Sequence, residues 1–184
     1  AYEITRGLEF RRVLFRSSRG VSVGTMLQDE AFHFLRIGSF LERADNTARL
    51  LDVKFHAVES DFFGNAGEKD GDYDFYHWSA ILRSVSAFEI YRKVYRNVIL
   101  PEKVAELLIV RPDMPRSLAH CMHEVVTNLK LVANQQSGET LRRAGRLSCD
   151  LEYARIDEIL STGLHAYLTQ FLDRVGRSEE HTSE

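Results

Sequence analysis

The sequence predicts an all-α protein, an antiparallel bundle of about five or six helices with mostly short connections. Three observations predict it. Apolar residues recur at three- and four-residue steps through most of the chain. No stretch alternates with period two for long enough to make a strand. With Gly 11 and Pro 3 in 184 residues, breaks are sparse and fall between long periodic runs.

The elements follow in order. Asp29 to about Phe55 reads as one long amphipathic helix, with Phe34, Ile37, Leu41, Ala44, Ala48 and Leu51 at helical spacing. The segment from Asp61 to Asp74 is rich in Gly, Asp and Asn and reads as a loop. A second helix is expected from Tyr76 to Asn97, with Ile81, Val85, Phe88, Tyr91 and Tyr95 on one face. Pro101 suits the first turn of a short helix reaching Val110. Residues 111–117, RPDMPRS, form a tight connector, and Pro115 is expected to open a helix reaching Asn134. Ser137 is placed to cap a further helix from Glu139 to Leu160. Ser161-Thr162-Gly163 marks a turn before a last helix that reaches about Arg174.

Composition narrows the function classes. The chain is 44% hydrophobic and 28% charged, ordinary for one compact domain. A net charge of -3 argues against a protein built around a phosphate backbone, so no nucleic-acid partner is expected. The Tyr-Arg mixture at 91–96 does not outweigh the acid excess elsewhere. No apolar run approaches the ~20 residues of a membrane span. Cys121 and Cys149 make no disulfide framework, and buried thiols suit a cytoplasmic setting.

The ends carry a different signature. Residues 10–17 read FRRVLFRS, and one set of codons for them has a reverse complement that translates as RSEEHTSE, the sequence of residues 177–184. That DNA resembles a sequencing-library adapter, and Leu8-Glu9 fits the same adapter read further upstream. Residues 1–17 and 177–184 are therefore expected to be adapter-derived, leaving 18–176 as the helical domain. The two ends carry five residues of each sign, so the domain keeps the same net charge.

The first long helix holds the unusual chemistry. At 100° per residue, Phe34, Ile37, Leu41 and Ala48 line one apolar stripe, and Phe32, Leu35, Leu50 and Val53 line another roughly opposite. Between them run two polar stripes, one of Asp29, His33, Arg36, Arg43 and Thr47, the other of Gly38, Glu42, Asp45 and Arg49. Glu30 projects into the first apolar stripe. A helix apolar on two sides is central, so its charges are expected to be partly buried and paired. Two readings stay open at this level: an ion-pair network that fixes helix register, or a pocket for an anionic or amide-bearing ligand.

The run GTMLQDEAFHFLRIGSFLERADNTARLLDVKF, at 24–55, resembles the bacterial alpha-E domain family, helical proteins named for a Glu-Arg motif. The resemblance continues in WSAILRSVSAFEIYRKVYR, in PEKVAELLIVRPDMPRSLAHC, and around Gly145 and Gly163. It implies a chain that corresponds to the C-terminal half of a longer protein, with a related N-terminal Glu-Arg helix as its missing partner. It implies genes beside ATP-grasp amide-bond ligases and transglutaminase-like cysteine peptidases, hence a part in making or modifying peptides. It implies no reaction and no catalytic residue. What carries over is Glu42 and Arg43, their neighbours Asp45 and Arg49, and Arg116 in the PRS turn. The function so implied is a helical accessory module. The alternatives are an enzyme with a charged pocket of Glu42, Arg43, Asp45 and Arg49, or a purely structural interaction protein.

Other chemistry finds little support. Glu30-x-x-His33 has the spacing of di-iron bundles, but a full site needs a second copy and two more carboxylates. Asp74-x-x-His77 sits at a loop edge, and His120, His123 and Glu124 lack a matching set, so no metal site is expected. No phosphate loop, nucleophile elbow or zinc-protease motif is present, and no cofactor is expected.

Overall fold

The computed structural model describes residues 25–64, 71–96 and 98–180 (for 54, 56–64, 71–75 and 177–180, the backbone alone). All regular structure among them is helical, in eight elements: α1 Glu30–Gly64, α2 Gly71–Ser84, α3 Phe88–Tyr95, α4 Pro101–Ile109, α5 Leu118–Leu131, α6 Gly138–Glu152, α7 Ile156–Thr162 and α8 Leu164–Glu180. None of the described helices is long and apolar enough to cross a membrane. The expected ends at residues 1–17 lie outside the described residues, whereas the backbone of α8 continues through Glu180.

The helices are more numerous than expected because two predicted helices break without Gly or Pro. The run from Tyr76 to Asn97 is interrupted at 85–87. Ala87 N–H bonds the Leu82 carbonyl (2.7 Å) and Ser86 N–H bonds the Arg83 carbonyl (3.0 Å). Those two bonds are a Schellman ending, with Ser86 at φ 56 where glycine is usual. Leu82 and Ala87, both fully buried, supply its hydrophobic contact. The run from Glu139 to Leu160 breaks at Tyr153–Arg155. There Arg155 adopts extended backbone before α7 and forks onto Asp157 at 3.2 and 2.7 Å.

Three boundaries move for local reasons. The stretch expected as a loop from Asp61 is helical through Gly64, and helix resumes at Gly71. Ser137 does not cap α6; its hydroxyl turns back to bond the Asn134 backbone. Ser117, not Pro115, starts α5: its Oγ accepts from His120 N–H at 3.0 Å.

Helix α1 packs against α5 and α8, and α5 packs in turn against α6. The buried face of α1 is Ile37, Phe40, Ala44, Thr47, Ala48 and Leu51. It meets Leu118, Cys121, Met122 and Val125 of α5 and Leu168, Phe171 and Val175 of α8 in one continuous core. The second apolar stripe of α1 is not a core face as expected. Phe32 is buried, but Leu35 and Val53 are 56% and 64% exposed, so α1 is peripheral rather than central on that side. Phe34 is also half exposed.

Candidate functional site

The two polar stripes of α1 have opposite fates. The first faces α5 and runs antiparallel to it as a seam of side-chain contacts. His33 Nδ1 meets Asn128 Oδ1 at 2.9 Å, and Asn128 Nδ2 donates to the Glu124 carbonyl at 2.8 Å. With the amide oriented that way, Oδ1 is the acceptor and His33 Nδ1 carries the proton. One turn on, Arg36 donates to Glu124 Oε2 at 2.5 Å, both side chains less than a third exposed. The Phe40 ring follows, with the Arg36 guanidinium at 4.8 Å and that of Arg43 at 5.0 Å from its centroid. The His120 ring stands edge-on to it at 6.0 Å.

Arg43 closes the seam. Its Nη1 donates to the Pro115 carbonyl at 3.0 Å, and one turn later the Thr47 hydroxyl donates to the Arg116 carbonyl at 3.0 Å. The 111–117 connector is thereby fastened to α1. Its own bonds hold it in shape: Arg111 forks onto Asp113 at 2.6 and 2.9 Å, Ser117 Oγ donates to the Arg111 carbonyl, and His120 Nδ1 donates to the Pro112 carbonyl at 3.0 Å. The Arg111 fork holds the Asp113 carboxyl below the usual carboxylate range.

The second stripe is solvated. Glu42 is exposed and makes no hydrogen bond or ion pair among the described residues. Asp45 and Arg49 pair locally, one helical turn apart, at 2.8 Å, and that contact raises the Arg49 guanidinium. The expectation of partial burial fails for Glu42 and Arg49 because the neighbouring apolar stripe, with Leu35 and Val53, is itself open to water.

The remaining candidates have local places. Asp29 is the cap of α1, its Oδ1 accepting from Phe32 N–H at 3.0 Å. Glu30 is exposed in the first turn, not seated in an apolar stripe. Arg116 contributes its backbone carbonyl to Thr47 and keeps its half-buried side chain out of the seam's hydrogen bonds. So Arg36, Arg43 and His33 converge on α5 or the connector, whereas Glu42, Asp45 and Arg49 do not join them. Among the described residues, no three His, Cys, Asp or Glu side chains come together as a metal site.

Sequence reasoning missed the other half of the seam. His120, Glu124 and Asn128 recur every four residues on a helix that otherwise buries apolar groups, and that spacing is the signal that marks them as one face. A larger open cleft of about 690 Å³ lies elsewhere, where α7 meets α8, lined in part by Arg155, Glu158, His165 and Asp173.

Among known proteins, no curated sequence and no solved structure matches this chain. A family model does match, over residues 9–184, a span that includes both terminal octapeptides and so marks no boundary at either. It describes a predicted alpha-helical domain with a conserved ER motif. Glu42-Arg43 is the one Glu-Arg dipeptide in the sequence and sits where the buried seam meets the solvated stripe. With an all-helical fold and the match over nearly its whole length, the chain belongs to the Alpha-E family.

Proposed function

We propose that this Alpha-E domain is a non-catalytic helical module that binds an amide-bond-forming enzyme in the cytoplasm of a bacterium. The observation that supports it is the division of labour within the Glu-Arg dipeptide. Arg43 is committed to the Pro115 carbonyl and the Phe40 ring, contacts internal to the fold. Glu42, the residue before it, stands in solvent with no partner among the described residues. An exposed carboxylate with no partner inside the fold is available to a partner protein. A buried catalytic acid would need a surrounding that shifts or shields it. Cys121 is buried as expected, whereas Cys149 is exposed rather than buried, and two thiols fit a reducing compartment. The partner class, an ATP-grasp ligase acting with a transglutaminase-like peptidase, comes from the resemblance.

The test is a binding titration of the chain against the ATP-grasp ligase encoded beside an Alpha-E gene. Glu42→Gln is expected to weaken association at least about tenfold while leaving the unfolding midpoint unchanged. Unchanged affinity in Glu42→Gln, or amide formation by trace amounts of the chain without the ligase, would overturn the proposal.

A further inference from the structure

A second surface gathers cations. Arg142 and Arg143 share Glu139 at 2.8 and 2.7 Å, and half-buried Arg174 meets Asp150 at 2.7 Å, whereas Arg146 is exposed with no ion pair among the described residues. On α3 three such cations fall within five residues. Arg92, Lys93 and Arg96 are exposed, and none makes an ion pair or side-chain hydrogen bond among the described residues. Arg83, at the end of α2, lies over the Phe88 ring at 4.6 Å and is also exposed. Glu89 is the one acid between residues 83 and 100, in a chain whose net charge is -3.

The surface is tied to the core beneath it. Tyr91 is fully buried beneath it, and its hydroxyl accepts from Leu100 N–H at 3.0 Å and donates to the Val98 carbonyl at 3.2 Å. The segment leading into α4 is thereby tied to the underside of α3, which leaves Val98 and Leu100 70% and 48% exposed beside the cations. Ser86 and Arg96, at φ 56 and 54, bracket α3 in left-handed backbone that costs an L-residue roughly 1 kcal/mol each. Strain of this kind persists where the surrounding structure holds a segment in one place.

The aromatics decide what class of partner fits. Tyr91 is buried and its ring packs tilted against Tyr95, centroids 4.9 Å apart, and burial, with Glu106 nearby, pushes the Tyr95 phenol up to about 12. Neither ring is displayed as a platform for bases. Little more than one helical turn of cations is a short track for a phosphate backbone. Two exposed aliphatic residues make no face deep enough to enter a bilayer. Cations with no carboxylate partner among the described residues, close in sequence to exposed aliphatic side chains, complement a protein segment that is acidic and carries aliphatic residues.

We infer that the outer face of α3, with Val98 and Leu100, docks an acidic, aliphatic-bearing segment of a partner protein. The inference rests on the proposal that the chain is an interaction module, and it uses a surface separate from Glu42. The test follows amide shifts of the full chain during titration with a short synthetic peptide of alternating Glu and Leu. Shifts are expected at residues 83–100. Arg92→Glu with Arg96→Glu is expected to weaken binding at least about tenfold, and Val98→Ser with Leu100→Ser about threefold. Arg92→Gln with Arg96→Gln gives an intermediate loss and guards against misfolding by charge reversal. Absence of shifts at 83–100, unchanged affinity in the charge variants, or tighter binding to short single-stranded DNA or to phosphatidylserine vesicles would overturn it. Peptide docking that survives in Glu42→Gln, alongside a chain that never binds the ligase, would sink the accessory proposal alone.

Discussion

The two polar stripes of α1 are made of the same residue types on the same helix, yet one is part of the fold and the other is not. His33, Arg36, Arg43 and Thr47 find their partners on α5 and the connector. Glu42 and Arg49 face water and Asp45 is half-buried, and the one side-chain contact they make among the described residues is within a single helical turn. The difference teaches that polarity along a helix does not report burial; the neighbouring element does. It also explains why a Glu-Arg dipeptide can hold two roles at once, since adjacent residues on a helix are about 100° apart.

The sharpest way to break the contrast is to remove a buried member of the seam. Asn128 is 4% exposed and serves both His33 and the Glu124 carbonyl. Asn128→Ala should cost about 2–3 kcal/mol in chemical denaturation, because it leaves His33 Nδ1–H without its acceptor and opens a gap at a buried position. Arg43→Ala should cost about 1.5–2.5 kcal/mol by removing the connector bond and the Phe40 stack, and Arg43→Lys should recover only part of it. A smaller effect is expected for the Arg36–Glu124 pair. A double-mutant cycle should give a coupling of about 0.5–1.5 kcal/mol that shrinks with added salt, as suits a partly exposed bridge. At the bottom of the scale, Glu42→Ala, Asp45→Ala and Arg49→Ala should each leave the unfolding midpoint within measurement error. A loss at Glu42 equal to that at Arg43 would erase the distinction between the stripes.

Much of the fold was legible because helical period is a local property. Apolar spacing located α1, α4 and α5, and Pro101 marked the first turn of α4. The breaks at Ser86 and Arg155 were not legible, since a Schellman ending is usually announced by glycine and here a serine occupies that place. The candidate site was half legible. Projection distinguishes two stripes, but which of them meets another helix depends on residues far along the chain. His33 and Asn128 are 95 positions apart, and Arg43 and Pro115 are 72. Nothing within one turn of α1 carries that information. The α5 face was overlooked for a different reason: His120, His123 and Glu124 were weighed as metal ligands, which obscured the four-residue rhythm of His120, Glu124 and Asn128.

The fastening of α1 to the connector has a consequence for how the chain is made. The carbonyl that receives Arg43 belongs to a residue translated 72 positions later, and the one that receives Thr47 to a residue 69 positions later. At about 5–20 residues per second, helix α1 waits on the order of ten seconds on the ribosome before its polar face can be satisfied. In vectorial synthesis these bonds therefore close only once the whole connector has emerged.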